Sequence, residues 1–538
     1  MFGVATIRKM TIWTMLAMAC ALLAAPRPGQ AETQVTAFMQ AVAEAAAKDS
    51  DIAEFYRATG YKPIWTGAFG RDASRRKALF SAIADAPDHG LPAGRYDAEG
   101  LMATLKAAKT PRDRGFAEVA MARTFLTLAR DLQTGMLVPS RIDPGMVREV
   151  PLRDRLSYLT DFAKSSPTGF FRALPPRTPE YARLMKEKMR LERLLARGGW
   201  GDPVPSKALK PGESGPAVVA LRNRLLAMGY LKRSASQTYD ATIQAAVQQF
   251  QGDHGLSADG VAGAGTMEEI NTDVASRLQS IIVAMERERW LNQPRGKRHI
   301  LVNITDFSVR IYDNDKVTFE SRVVVGANQS DRRSPEFSDQ MEYMVVNPTW
   351  NVPRSIAVKE YLPMLKRNPN AASHLRLIDS RGKVVNRGAV NFGAYTERSF
   401  PFNLKQPPSQ RNALGLVKFM FPNKYNIYLH DTPAKDLFNR ESRAYSHGCI
   451  RVHQPFDLAY ALLAKQSKDP EALFKRHLAG GQESVIQLEQ PVPVHLIYRT
   501  AFTDPRGQTQ YRRDVYGRDA RIWAELARAG VALRAVRG

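Results

Sequence analysis

Apolar and polar positions along this chain change period twice. From Gln34 to Tyr56, Val35, Phe38, Met39, Val42, Ala45 and Ala46 recur at three- and four-residue spacing, which predicts a helix. Gly60 and Pro63 break the pattern inside Phe55–Trp65. The same spacing predicts helices over Arg75–Ala86, Arg114–Leu132 and Thr178–Ala196. Their aromatics and leucines, with Trp65 and Trp200, read as packing residues. Residues 32–205 are therefore expected to form a helical scaffold domain.

Residues 206–275 predict a smaller helical bundle. Val218, Leu221, Leu225 and Met228 share one helix face, and Ile243, Val247 and Phe250 share another. Gly255, Gly260 and Gly263 permit the turns that lead to a third helix. Residues 276–296 predict a linker helix with charges interleaved along MERERW, ending at Gln293-Pro294-Arg295-Gly296.

The period then shortens to two. HILVNITDFSVRIYDNDKVTFESRVVVGA alternates apolar and polar residues, with Asp313-Asn314-Asp315 as a hairpin turn. Glu342–Val346, Ala389–Phe392, Lys418–Phe421 and Asn426–Leu429 are further strand candidates. Without sustained strand–helix alternation, residues 297–500 predict a β-sandwich or mixed β domain rather than a doubly wound sheet. Residues 350–411 interrupt it behind Pro348 and Pro353. An insertion of this length reads as a lid or binding loop, or else as a structural excursion. Pro491–Asp519 predicts two strands about an Asp504–Gly507 turn, and Arg521–Val536 a basic, fraying helix. Residues 501–538 thus form an extension without catalytic signal. The expected architecture is multidomain α+β.

Composition narrows the partners. A chain of 538 residues allows three or four domains at ~150 residues each. Lys and Arg exceed Asp and Glu by 77 − 53 = 24, which favours anionic partners: nucleic acid, acidic lipid or acidic wall polymer. Residues 1–31 read as a signal peptide or an N-terminal anchor. Arg8 and Lys9 precede an uncharged apolar run from Met10 to Ala25, and Gly29-Gln30-Ala31 supplies small residues for cleavage. Export to the periplasm, with retention at the inner membrane if the segment is kept, argues against nucleic acid, and no nucleic-acid-binding motif is present. Cys20 lies in that segment, so cleavage would leave Cys449 alone. A single thiol in an oxidising compartment is either intermolecular or reactive.

Cys449 sits in HDTPAKDLFNRESRAYSHGCIRV, between His430, His447 and Arg451. A thiol beside an imidazole is the kit for acyl transfer through a thioester. The alternative is a small buried cysteine among core histidines. Asp431, Asp436 and Glu441 make no paired-carboxylate site. The order of histidine before cysteine opposes a papain-like protease. His254 and Asp259 make no metal set, and neither a metal nor a cofactor is expected.

The combination VVALRNRLLAMGYL, YDATIQAAVQQFQ and GLSADGVAGAGT resembles the peptidoglycan-binding domain-like family, a three-helix module. IYLHDTPAKDLFNRESRAYSHGCIRV resembles the active-site signature of the YkuD-type L,D-transpeptidases, and VVVGANQSDRRSPEF that family's early strand and loop. NPTWNVP, RNALGLVKFMF, the insertion, the helical N-terminal part and the tail resemble the larger periplasmic YcbB-like subgroup. The resemblance implies a YkuD-like β-sandwich with a lid. It also implies that Cys449 attacks a tetrapeptide-stem amide while His430, oriented by the Asp431 backbone carbonyl, acts as base. His447 would shape the pocket, although geometry could favour either imidazole as base. The N–H groups of Gly448 and Cys449 would form an oxyanion hole. Ser446, Arg451, Tyr428, Trp350 and Asn347 are the candidate substrate contacts. Arg451 either stabilises thiolate or substrate carboxylate, or makes an ordinary ion pair, and His453 is incidental. The implied partners are peptidoglycan, as stem donor and amine acceptor, and carbapenem-type β-lactams as inhibitors. The competing readings are a wall-binding protein with an inert Cys449, a hydrolase, and a ligase joining a protein to the wall.

Overall fold

The computed structural model describes residues 35–68, 70–504 and 506–535. The export-signal reading of residues 1–31, with Cys20, lies outside them. No helix among the described residues is long and apolar enough to cross a membrane.

The predicted first helix is two, Ala37–Ala46 and Ser50–Ala58. The break falls at Asp49, whose carboxylate accepts the Ile52 N–H as an N-cap, so a local polar bond outcompetes helix continuation. Gly70–Asp85, Pro111–Thr134 and Pro179–Ala196 form close to expectation. Trp65 is fully buried against Phe125 and Phe162, as a packing residue. Pro216–Met228, Ala241–Asp253 and Ala264–Asn271 enclose Leu221, Leu225, Val247 and Phe250.

The helix Val274–Trp290 is no linker. It is a buried strut, and Glu286, Arg287, Glu288 and Arg289 are all inside the protein. Their charges are paired: Arg287 reaches both Glu336 and Asp519 at 2.7 Å, and Arg289 holds Glu286 at 2.6 Å. Interleaved charge looks the same in sequence whether it faces water or buried partners. The C-terminal helix, Arg518–Arg528, does not fray over these residues either, since Ile522 and Leu526 are buried on the strut's cluster.

The β-rich domain begins with β1 (Arg298–Asn303), β2 (Ser308–Asp313), β3 (Lys316–Gly326) and β4 (Phe337–Val346). The insertion supplies β5 (Trp350–Asn351), β6 (Arg376–Ile378) and β7 (Asn403–Gln406). The chain returns as β8 (Val417–Met420), β9 (Leu429–His430), β10 (Ala444–Ser446), β11 (Ile450–Val452) and β12 (Ser484–Ile497). The extension adds the hairpin β13 (Ala501–Thr503) and β14 (Thr509–Tyr511). The main sheet runs β10-β3-β11-β9-β8-β4-β12-β1-β2, and β2 pairs β3 as well, so the sheet closes on itself around Ile300, Val323, Met344, Phe419 and Leu496.

Two strand expectations are corrected. Ala389–Phe392 lies in two short 3-10 turns, Arg387–Ala389 and Phe392–Ala394, started by the Asn386 and Asn391 side chains. Asn426–Leu429 shrinks to β9. Asn426 has a φ of 53°, and the Asn423 side chain accepts from Tyr425 and Ile427 N–H, which holds a turn there. The insertion is a folded body with its own core of Leu362, Leu365, Leu377, Phe400 and Leu404, not an open loop.

Candidate active site

Strand register builds the floor of the site. β9 and β11 pair in parallel, with Leu429 opposite Ile450 and His430 opposite Arg451. β8 pairs β9 from the other side, with Lys418 opposite His430. Because alternate residues share a face, Tyr428 and His430, Cys449 and Arg451, and Lys418 all face one way. They line a cleft of about 900 Å³, and the insertion forms its opposite wall through Trp350, Glu360 and Tyr361.

His430 is buried, and its Nδ1 lies 2.5 Å from the Asp431 carbonyl oxygen. A carbonyl can only accept, so Nδ1 carries the proton and Nε2 is left with a free lone pair. Burial pushes the imidazole down to about 3; Arg451 and Lys418 push the same way and the Asp431 carbonyl opposes them. Asp431 is itself fixed, its carboxylate accepting the Leu416 N–H at 2.9 Å, the Thr432 N–H at 2.7 Å and Lys435 at 2.6 Å.

Cys449 is half-buried, with Sγ 3.5 Å from the Asn426 carbonyl. Burial pushes its thiol up to about 11, while hydrogen bonding from the Tyr428 backbone and hydroxyl and the charge of Arg451 favour the thiolate. At rest the thiol and imidazole are therefore both neutral at neutral pH. Arg451 makes no ion pair among the described residues, and its Nε is buried without a hydrogen bond. Its charge acts on Cys449 and His430, and the ordinary ion-pair role finds no partner among the described residues.

The structure corrects two site expectations, at Gly448 and Asn347. Ser446 lines the cleft and also braces the turn: its hydroxyl donates to the Cys449 carbonyl at 2.6 Å and accepts the Gly448 N–H at 3.1 Å. The Gly448 N–H is thereby spent. Of the two proposed oxyanion donors only the Cys449 N–H has no partner among the described residues. Gly448 is needed for its φ of 114°, and a Cβ there would stand 3.2 Å from Ile427 Cδ1. Asn347 is buried outside the cleft, where its amide donates to the Leu478 carbonyl at 3.0 Å and ties β4 to the helix Pro470–Ala479. It is a structural residue. Trp350, Tyr428 and Arg451 line the cleft with Ser446. His447 lies 2.6 Å from Glu360 of the insertion, and His453 packs on Phe438.

Sequence reasoning missed several residues. Ser334, fully buried, donates to the Gly448 carbonyl at 2.7 Å and accepts the Gly326 N–H at 2.9 Å. Tyr516 of the extension donates to the Gly326 carbonyl at 2.5 Å and accepts the Ser334 N–H at 3.2 Å. The extension thus props the loop that carries the thiol. Glu360 also accepts Arg332 at 2.6 Å, joining the insertion to the loop after β3. The strand period around Lys418 could have marked that residue; nothing local marks Glu360 or Tyr516.

Residues 297–493 match the YkuD family, described as the L,D-transpeptidase catalytic domain. Residues 50–187 match a scaffold domain, and residues 214–270 match a family described as "Putative peptidoglycan binding domain". The chain carries a YkuD L,D-transpeptidase catalytic domain joined to a peptidoglycan-binding-type domain, as the resemblance implied. It is 34% identical over 242 residues to a Haemophilus influenzae protein described as "Putative L,D-transpeptidase", a match over 45% of this chain and 48% of that protein. The chain thus spans about half the length of the curated relative it matches. Two solved structures also match at 14% identity, over 55% of this chain: an L,D-transpeptidase from Xylanimonas cellulosilytica (100% of that chain, TM-score 0.17) and one from Stackebrandtia nassauensis (96%, TM-score 0.22). At those scores neither superposition bears on the geometry of the cleft.

Proposed function

We propose that the protein is a cysteine-dependent L,D-transpeptidase acting on peptidoglycan stem peptides in the periplasm. The observation that carries this reading is the pairing of His430 on β9 with Arg451 on β11, with Tyr428 and Cys449 just before those strands facing the same cleft. As Cys449 Sγ attacks the stem amide carbonyl, its proton passes to His430 Nε2 and the oxyanion meets the Cys449 N–H. The C–N bond then breaks, and His430 returns the proton to the departing amine, leaving a thioester. An incoming amine attacks next. His430 takes its proton, the C–S bond breaks, and the proton returns to Cys449. His430 is kept neutral, so Nε2 is vacant at every working pH. Arg451 and Tyr428 stabilise the sulfur as charge develops on it. The insertion wall limits water at the thioester, which favours an amine acceptor over hydrolysis.

Carbapenem-type β-lactams, as acylating amide analogues, would be trapped at Cys449. The test is incubation with purified muropeptides and mass analysis of the products. Crosslinked stems support the reading. Trimmed stems alone would make the protein a hydrolase, and unchanged stems a wall-binding protein with an inert thiol.

A further inference from the structure

A second cavity of about 730 Å³ lies where three parts of the chain meet: helix Pro179–Ala196, the turn at Gly229, and the β13–β14 hairpin. Arg183, Lys186, Arg190 and Arg193 follow one another at spacings of three, four and three, so one helix stripe lines it with cations. Such a stripe is ordinarily a solvated face. Here it borders a concave space, and Arg506 adds charge from the hairpin. Glu187, the one carboxylate among the described residues of the lining, is already held by Arg190 at 2.7 Å. Lys186 and Arg193 have no ion pair among the described residues.

The lining also includes the buried His254, whose ring stacks on Phe250 at 3.8 Å and on Tyr511 at 5.5 Å. Its Nδ1 donates to the Phe250 carbonyl at 2.7 Å, so Nε2 remains an acceptor, with no protein partner among the described residues. Tyr230 and Tyr511 complete an amphipathic lining. Cationic rim, aromatic surface and one buried acceptor together suit a ligand that carries carboxylates, apolar ring faces and N–H or O–H donors.

We propose that this cavity is a second binding site, for a stem-bearing glycan segment of the wall, held by its peptide carboxylates. The site is composite. Residues 214–270, which match the peptidoglycan-binding family, supply only part of it; the helix Pro179–Ala196 and the hairpin supply its charge. The choice of a wall ligand rests on the proposed function, whereas the anionic character of the ligand does not.

The full chain is titrated with soluble glycan oligomers carrying tetrapeptide stems, at two salt concentrations, by calorimetry. The doubly substituted Lys186→Glu/Arg193→Glu chain should bind at least ten-fold more weakly, with carbapenem acylation of Cys449 and the thermal melt unchanged. Lys186→Ala/Arg193→Ala should show a smaller loss. Wild-type affinity should fall with salt, and the same glycan stripped of its stems should bind at least ten-fold more weakly. Equal affinity in a folded double variant overturns the site. Equal affinity for stem-free glycan overturns the assigned ligand, as does an equally sensitive capture of anionic vesicles, which would mark a general polyanion surface. Failure of the catalytic reading registers separately, as an unacylated Cys449 beside intact binding.

Discussion

His430 and Arg451 stand directly opposite each other on parallel strands, so the imidazole proposed to take the thiol proton faces a guanidinium with no ion pair among the described residues. The same cation raises the cost of protonating His430 and lowers the cost of ionising Cys449. It therefore disfavours proton storage on the base while favouring the charge that forms on sulfur. With the imidazole held down at about 3 and the thiol pushed up to about 11, the proposed mechanism starts from a neutral pair whose proton moves as the substrate is attacked.

Cys449→Ala should abolish acylation and leave the thermal melt within a degree or two of wild type. The side chain is half-buried and small, so its truncation removes little packing. Intact mass after exposure to a carbapenem reads the result. An adduct of unchanged stoichiometry on the variant would remove Cys449 from the chemistry.

The neutral resting pair predicts a specific pH response. Alkylation of Cys449 by iodoacetamide follows the thiolate fraction, so its rate should rise about ten-fold per pH unit from 7 towards a midpoint near 11. The neutral imidazole should leave no acid limb above pH ~4 in the acylation rate of the free enzyme, because its pKa is held at about 3. Arg451→Ala removes a charge that lowers both values. Its alkylation midpoint should move upwards and its acylation rate at pH 7 should fall; Arg451→Lys should recover part of both. A wild-type alkylation rate that plateaus between pH 6 and 8 would mean a preformed ion pair.

Ser334→Ala tests the brace under the catalytic turn. It strands the Gly448 carbonyl and the Gly326 N–H in a fully buried place. Each unsatisfied buried group costs about 1–3 kcal/mol, so the melt should fall measurably. The acylation rate should fall while donor affinity stays near wild type, since Ser334 meets the turn and not the cleft. Gly448→Ala should be worse, because it adds a side chain at a φ of 114°. Unaltered kinetics in a folded Ser334→Ala chain would make the brace irrelevant to the thiol's position.

Much of the fold was readable in the residue pattern. Helix periods located the N-terminal bundle and the three-helix module, and the clustering of His430 and His447 with Gly448 and Cys449 marked the site. What escaped depended on tertiary partners. MERERW reads as a solvated face until Glu336 and Asp519 come from elsewhere in the chain to pair with Arg287. Asn347 lies near the insertion in sequence, but a φ of 51° and the carbonyls of the helix Pro470–Ala479 claim it for structure. The Gly448 N–H looked free because the neighbouring serine's rotamer cannot be read from sequence. Glu360 carried no local signal at all.

One carboxylate oxygen of Glu360 lies 2.6 Å from His447 Nε2 and 2.6 Å from Arg332, so a single oxygen joins the insertion to the cysteine loop and to the loop after β3. Lys359 and Asp331 add a second tie at 2.8 Å. These groups are each about a third to a half exposed, and such pairs contribute up to ~1 kcal/mol apiece. Removing the carboxylate should therefore open the cleft without unfolding the insertion, whose own core of Leu362, Leu365 and Leu377 is untouched. Glu360→Ala should raise the donor KM about five-fold, which corresponds to ~1 kcal/mol, and shift products from crosslinked towards trimmed stems as water reaches the thioester. Glu360→Gln, which keeps an acceptor but not the charge, should fall between. Raising the salt should weaken the wild type in the same direction, because exposed pairs are screened. The ratio of crosslinked to trimmed muropeptides and the donor KM, measured on folded variants, decide it. If both are unchanged in Glu360→Ala, the insertion is held shut by packing alone and this carboxylate is a surface tie.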